Sequence, residues 1–151
     1  MYYGDKTLDY CGCGLISVYN ALFFLTGNKD INFPEIINYF ESDGIVLNGL
    51  FGTDPKAIED YFQKNNYQTI SSSNENEFDE IGYMTNTCIL TYYNDKNDII
   101  SAVHTVSITK KNNKLFVHNG SHNVNTPYNS ISDFFKKNLN GKSKPIFLIG
   151  I

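Results

Sequence analysis

Residues 10–25 read YCGCGLISVYNALFFL, a cysteine set between two glycines at the start of an apolar run. From residue 15 onward only a serine, a tyrosine and an asparagine interrupt that run. The pattern therefore predicts a helix that is apolar nearly all round and crosses the middle of the domain. Cys13 would lie in its first turn, where unpaired N–H groups and the positive end of the helix dipole lower a thiol pKa. Two interpretations follow: a nucleophile whose neighbours Gly12 and Gly14 let a substrate backbone approach, or a small buried hydrophobe.

Length and charge restrict the class of protein. The chain has 151 residues, of which 41% are hydrophobic, so we expect one domain with a single core over residues 1–151. The net charge is −4, and the twelve basic residues are all lysines. Without arginine or a basic stripe, nucleic acid is not an expected partner.

The cellular compartment is predicted from the N-terminal residues, the apolar runs and the cysteine count. The N-terminus lacks the layout of a signal peptide, and no apolar run reaches the length of a membrane span. We therefore expect a cytoplasmic protein, or a piece of a larger cytoplasmic chain, with no membrane segment. Cys11, Cys13 and Cys88 form an odd set with no disulfide framework, which predicts free thiols. The oligomeric state is left open by these features.

The element pattern changes half way along the chain. After an irregular lead-in over residues 1–12, helices are predicted at 13–26, 33–42 and 55–65, each with a recognisable stop or cap. Short β-rich runs follow at 67–71, 87–93, 102–109, 114–119 and 146–149, with a helical turn at 77–83 and a late helix at 131–139. Helices first and strands afterwards predict an α+β fold, with an antiparallel sheet packed against the first helix.

A histidine and an asparagine lie on two of these strands. Alternation places His104 on the same face as Val106 and Ile108, and so inward. If residues 110–113 form a four-residue hairpin loop, His104 lies directly across from Asn119, with Cβ atoms roughly 5 Å apart. A tighter turn at 112–113 would instead pair Val106 with Asn119. The first register is preferred because it matches the apolar pairs evenly.

The segments CGLISVYNAL from Cys13, HTVSI from His104 and FVHNG ending at Gly120 resemble the papain-like fold. More narrowly, they resemble the double-glycine leader peptidase domains of bacteriocin-exporting ABC transporters and their stand-alone relatives. The resemblance covers roughly residues 7–120. It implies that Cys13 is the nucleophile, His104 the base and Asn119 the orienting residue, and that a peptide or protein substrate is cleaved after a leader sequence. It implies no cofactor.

One position departs from that family. Such enzymes usually carry a glutamine shortly before the nucleophile, whose amide binds the oxyanion, whereas Thr7 stands there in this chain. We therefore predict that Thr7, or a neighbour such as Asp9 or Tyr10, lines the oxyanion position. Asp9 could serve only if protonated, because a carboxylate would repel the developing charge.

Three other functions remain open on the sequence. A catalytically inactive papain-like domain would bind a peptide in the same groove. An acyl-transfer or deamidation enzyme would use the same three residues, because hydrolysis and transfer share a thioester intermediate. Zinc could be held by Cys11, Cys13, His118 and His122, although paired zinc cysteines usually have more residues between them, and no metal is the preferred prediction.

Overall fold

The computed structural model describes residues 1–27, 30–95, 97, 103–120, 123–138 and 142–151. The helices are α1 (Leu8–Cys11), α2 (Cys13–Thr26), α3 (Phe33–Ser42), α4 (Pro55–Lys64), α5 (Phe78–Met84) and α6 (Ile131–Asn138). The strands are β1 (Tyr2–Tyr3), β2 (Lys6–Thr7), β3 (Ile70–Ser72), β4 (Thr87–Tyr93), β5 (Val103–Lys111), β6 (Lys114–His118) and β7 (Lys144–Gly150). The predicted α+β class is confirmed. The predictions for Asn28, Ala102 and Leu139 fall outside the described residues.

The helix boundaries follow from capping chemistry. Helix α2 ends where Gly27 adopts a left-handed φ of 62° and donates its N–H to Phe23 O at 2.9 Å. Helix α4 begins at Pro55, and the Asp54 carboxylate accepts the N–H of Lys56 at 2.8 Å. These local signals are the reason that the predicted helix bounds agree with the structure. No helix in the described part of the chain has the length and apolar character needed to cross a membrane.

The antiparallel sheet has the strand order β3-β7-β4-β5-β6 and is covered on both faces. One face packs against α2, with α3 and α4 contributing to the same core, and the other packs against α5 and α6. The first core contains Leu15, Val18, Phe40, Ile89 and Ile149, and the second contains Phe78, Leu90, Ile108, Ile131, Phe134 and Leu148. Helix α2 is therefore a central helix, and the sheet separates it from a second apolar layer.

The preferred register of the β5–β6 hairpin is wrong. Ile108 pairs with Val117 and Lys111 with Lys114, so the connection is the tight turn at Asn112 and Asn113. Both asparagines have positive φ, 52° and 57°. This is the backbone of a type I′ turn, whose twist matches that of the flanking strands and which asparagine tolerates. The register places Asn119 just beyond the end of β6, and not directly across from His104.

The expectation of an irregular lead-in is also wrong. Strands β1 and β2 pair, and α1 leads almost directly into α2. Tyr3 anchors this segment, because its side chain is fully buried and its hydroxyl donates to Phe40 O at 3.4 Å while accepting from Thr53 at 3.2 Å. The N-terminal residues thereby form one wall beside the start of α2.

Candidate active site

Cys13 lies at the first position of α2, immediately after the N-cap residue Gly12. All three cysteines are in the described ranges, and Cys13 is the one that is only partly buried. Loss of contact with water nevertheless raises the pKa of its thiol. Hydrogen bonds from Thr105 and from the N–H groups of Gly14 and Cys13 oppose that shift only in part. The predicted lowering of this pKa is therefore wrong, because burial outweighs the helix N-terminus, and the resting thiol is protonated at pH 7.

The other two cysteines are enclosed by protein. The Cys11 thiol is 3% exposed and donates to Thr7 O at 3.3 Å, and burial raises its pKa. Cys88 lies on β4, where burial raises its pKa to about 11. Neither thiol is as accessible as that of Cys13.

Cys13 opens on a cleft of about 240 Å³ between the N-terminal segment, the loop before α4 and the start of β5. Its lining combines apolar and acidic side chains with two cysteines. The lining residues are Asp9, Tyr10, Cys11, Cys13, Leu50, Phe51, Gly52 and Val103. A short peptide segment could reach the sulfur from this side.

His104 is half-buried on β5, where Nε2 lies 2.7 Å from the carbonyl oxygen of Asn119. A carbonyl oxygen can only accept, so we assign the ring hydrogen to Nε2, which leaves a free lone pair on Nδ1. Removal from water lowers the pKa of His104, and the bond to Asn119 opposes this only in part. The ring is therefore neutral at pH 7, with Nδ1 available as a base. Tyr92 packs edge-to-face on it, with ring centroids 5.8 Å apart.

Asn119 bridges the histidine and the cysteine. Its carbonyl holds His104, while its side-chain Nδ2 donates to Cys13 O at 3.2 Å and to Thr105 O at 3.3 Å. Its φ of 63° is left-handed and interrupts the alternation of β6. Asn119 thus contacts the histidine as predicted, but the contact is made by the main-chain carbonyl and not by the amide.

The two faces of β5 pack against different helices from those that we predicted. His104 shares its face with Val106 and Ile108, as expected, but that face packs toward α5 and α6. The residue that β5 presents to α2 is Thr105, whose carbonyl accepts a hydrogen bond from Ser17 at 3.0 Å. The contacts that join His104 to Cys13 run through Asn119.

The candidate oxyanion residue Thr7 is exposed, and its hydroxyl bonds the Asp9 carboxylate. This bond holds the pKa of Asp9 below its usual range, so Asp9 is ionised and cannot donate to an oxyanion. Tyr10 lines the cleft beside Cys13 and carries a phenolic hydroxyl that can donate. Among the three predicted candidates, Tyr10 best fits an oxyanion donor.

The two glycines that flank Cys13 have structural reasons to be glycine. A Cβ at Gly14 would lie 2.8 Å from the Cβ of Thr53, and one at Gly12 would lie 2.5 Å from Leu8 O. Both spaces are filled by the chain itself. The role of Gly12 and Gly14 in binding substrate stays a prediction.

The zinc alternative gains no support from the described residues. Among them, no group of three or more histidines, cysteines or acidic residues could hold a metal ion. His118 instead bonds the hydroxyl of Thr109 at 2.8 Å, and Cys11 bonds Thr7 O. His122 lies outside the described residues.

Thr105 is the site residue that sequence reasoning missed. Alternation places Thr105, Ser107 and Thr109 together on one face of β5, and all three are buried. A polar strand face turned toward an apolar helix needs hydrogen-bond partners. The need of these buried hydroxyl groups for partners is the sequence feature that indicates a polar site where β5 meets the start of α2.

The two half-buried histidines predict a loss of stability on acidification. Burial lowers the pKa of both His104 and His118 below 6.5, whereas an unfolded histidine titrates near about 6.5. The unfolded chain therefore binds more protons as the pH falls, and the free energy of unfolding should decrease from pH 7 through the folded-state pKa values. Urea unfolding at several pH values measures this. His118→Gln should flatten the dependence, and an unchanged slope would contradict the assignment.

No family model matches the chain, and no curated protein matches it at a significant level.

Proposed function

We propose that this protein is a papain-like cysteine peptidase that cleaves a peptide through Cys13, His104 and Asn119. The observation that carries the proposal is the double contact of Asn119, which holds the ring of His104 with its carbonyl and the main chain of Cys13 with its amide. These contacts join residues far apart in the sequence at the N-terminus of α2. Cys13 opens on the cleft described above, whereas His104 and Asn119 line a different pocket of about 380 Å³. The resemblance of these segments to leader peptidases supports a leader peptide as the substrate, and the free cysteines support a cytoplasmic reaction.

In the proposed reaction, Nδ1 of His104 accepts the proton of the Cys13 thiol as the sulfur attacks the substrate carbonyl carbon. The carbonyl oxygen becomes an oxyanion, for which the Tyr10 hydroxyl is the proposed side-chain donor. The histidine then gives the proton to the departing amine, which leaves a thioester on Cys13. Water, activated by the neutral histidine, hydrolyses the thioester and restores the thiol. The step requires Nδ1 and the sulfur to come within hydrogen-bonding reach when substrate is bound.

A second function is favoured by the raised pKa of Cys13. A thiol that stays protonated at neutral pH is a weak nucleophile unless a base acts on it during the reaction. A domain in which no base takes the proton from Cys13 would bind a peptide in the cleft without cleaving it. The experiment must therefore separate binding from covalent reaction.

Incubation with a peptidyl chloromethyl ketone, followed by mass spectrometry of the digested protein, tests both functions. We expect the label on Cys13 and not on Cys11 or Cys88, and we expect Cys13→Ser to prevent labelling. Cys11→Ser, which leaves the proposed nucleophile in place, is the matched control and should still be labelled. Saturable peptide binding without any label would instead support the inactive domain.

A thioester can also be resolved by an amine. Substrate cleavage in the presence of added hydroxylamine separates the outcomes, because a hydrolase yields mainly the free acid and a transferase yields mainly the hydroxamate. Predominance of the hydroxamate at low amine concentration would favour the acyl-transfer alternative. Release of ammonia from a glutamine peptide would favour deamidation.

A further inference from the structure

A pocket of about 460 Å³ lies on the side of the sheet that packs against α5 and α6, and we call it the α5–α6 pocket. Its apolar lining includes Phe78 and Ile131, which are buried in the second core, and the half-buried Phe135. A concave site of this volume, with an apolar lining and a few polar groups, is typical of small-ligand binding. Helix α2 packs on the opposite face of the sheet, so this pocket is separate from the cleft at Cys13.

Phe135 is held in place by its aromatic neighbours. Its ring packs edge-to-face with those of Tyr92 and Phe134, with centroids 5.7 Å and 5.6 Å apart. The ring is therefore ordered before any ligand arrives. A preformed aromatic surface contacts an apolar side chain at a low cost in conformational entropy.

Charged side chains of both signs line the same pocket. Glu75 and Asp79 bring carboxylates from the segment around the start of α5, and Lys136 brings an ammonium group from α6. None of these three residues forms an ion pair in the part of the chain that the structure describes. The neighbouring Lys137, by contrast, pairs with Asp133 at 2.9 Å. The α5–α6 pocket therefore offers both kinds of charge to a ligand.

Helix α6 separates the two signs of charge. Asp79 Oδ1 accepts the N–H of Ser132 at 2.9 Å, which places one carboxylate at the start of α6. Lys136 follows Ser132 by four residues, so it lies on the same helix face about 6 Å further along the axis. An extended dipeptide spans at most about 7 Å, which matches this separation, whereas the charged groups of a free amino acid lie closer together.

We infer that the α5–α6 pocket binds a short zwitterionic peptide, of the size of a dipeptide with apolar side chains. The peptide ammonium group contacts Glu75 and Asp79, and the peptide carboxylate contacts Lys136. An apolar side chain of the peptide packs on Phe135. The inference goes beyond the proposed function and does not rest on it, because binding in this pocket requires no reaction at Cys13.

Isothermal titration calorimetry of the full chain with leucyl-phenylalanine tests the inference. We expect saturable binding of this dipeptide. N-acetyl-leucyl-phenylalanine lacks the ammonium group, and leucyl-phenylalanine amide lacks the carboxylate. Each should bind about fivefold more weakly, which is the effect of losing one partly exposed ion pair.

Lys136→Gln locates the peptide carboxylate, because it removes the ammonium group and keeps most of the side chain. It should weaken binding of the dipeptide about fivefold, and it should bind the dipeptide and its amide equally, since the group that distinguishes them is gone. Lys137→Gln is the matched control, because Lys137 lies on the same helix but pairs with Asp133 and does not line the pocket. Its affinity for the dipeptide should equal that of the wild type.

Three results would overturn the inference: no saturable binding at millimolar dipeptide, equal affinities for the dipeptide and its two derivatives, or an equal loss of affinity in Lys137→Gln. Tighter binding of free phenylalanine than of the dipeptide would reject the assigned ligand. The proposed function can fail separately. Dipeptide binding that depends on Lys136, together with no labelling of Cys13, would keep this site and reject the peptidase.

Discussion

His104→Ala is expected to lower kcat/KM for peptide cleavage by roughly 10²–10⁴-fold, the range of general acid–base catalysis, with little change in KM. The reason is that the Cys13 thiol is protonated at rest, because burial raises its pKa. Removal of the base then leaves no group to accept the proton during attack. A discontinuous assay of peptide cleavage at fixed pH gives both kinetic constants.

His118→Gln is the matched control for this prediction. His118 is also a half-buried histidine whose pKa is lowered by burial, but its ring bonds the hydroxyl of Thr109, and no hydrogen bond joins that ring to His104 or Cys13 in the described structure. We expect its kcat/KM to stay within about threefold of the wild type, the effect of less than 1 kcal/mol. Retention of more than a tenth of the activity in His104→Ala would remove the histidine from the mechanism.

The pH profile of the wild type gives an independent check. Attack requires neutral His104, whose pKa lies below 6.5, so kcat/KM should rise with pH through that value and be fully developed by neutral pH. An acidic limb centred above pH 7 would indicate that another group controls the reaction. The same limb should disappear from the residual activity of His104→Ala.

The sequence predicted the elements that local chemistry decides. Caps at Gly27 and Asp54 act within a few residues, so the helix bounds could be derived from residue order alone. The hairpin register could not be derived from apolar pairing. Pairing Ile108 with Leu115 or with Val117 keeps the same side chains on the same face, since the two partners are two residues apart. The turn decides the register, because Asn112 and Asn113 both adopt the left-handed backbone that a two-residue turn requires.

The site shows the same division between local and tertiary effects. Asn119 contacts both His104 and Cys13, because β5 packs against α2 and Asn119 follows β6, the neighbour of β5. Among the described residues no hydrogen bond joins His104 to Cys13 directly, and the triad stays a prediction. The thiol pKa was predicted in the wrong direction, because the water lost from around the sulfur depends on packing by β5. The atom by which Asn119 reaches His104 was also missed, since a left-handed residue breaks the alternation from which its direction was inferred.

Substitutions of Asn119 should separate its main-chain role from its side-chain role. Asn119→Gly keeps the left-handed backbone and the carbonyl that holds His104 but loses the two bonds to Cys13 O and Thr105 O. At about 1 kcal/mol for each bond, we expect a loss of about 2 kcal/mol in the free energy of unfolding. Asn119→Ala adds left-handed strain of roughly 1–2 kcal/mol. Urea unfolding at pH 7 measures both values.

Asn119→Asp should be the most damaging of the three, although it is nearly isosteric with the native side chain. It replaces the donating amide with a carboxylate that can only accept. The carboxylate oxygens would then repel the carbonyl oxygen of Cys13 on α2 and that of Thr105 on β5. Turnover should follow a different order from stability. Because Asn119→Gly leaves the His104 contact intact, its kcat should fall by about tenfold at most, much less than in His104→Ala. If Asn119→Asp is as stable as the wild type, the amide does not donate to these two carbonyls. If Asn119→Gly is as slow as His104→Ala, the side chain of Asn119, and not its carbonyl, orients the histidine.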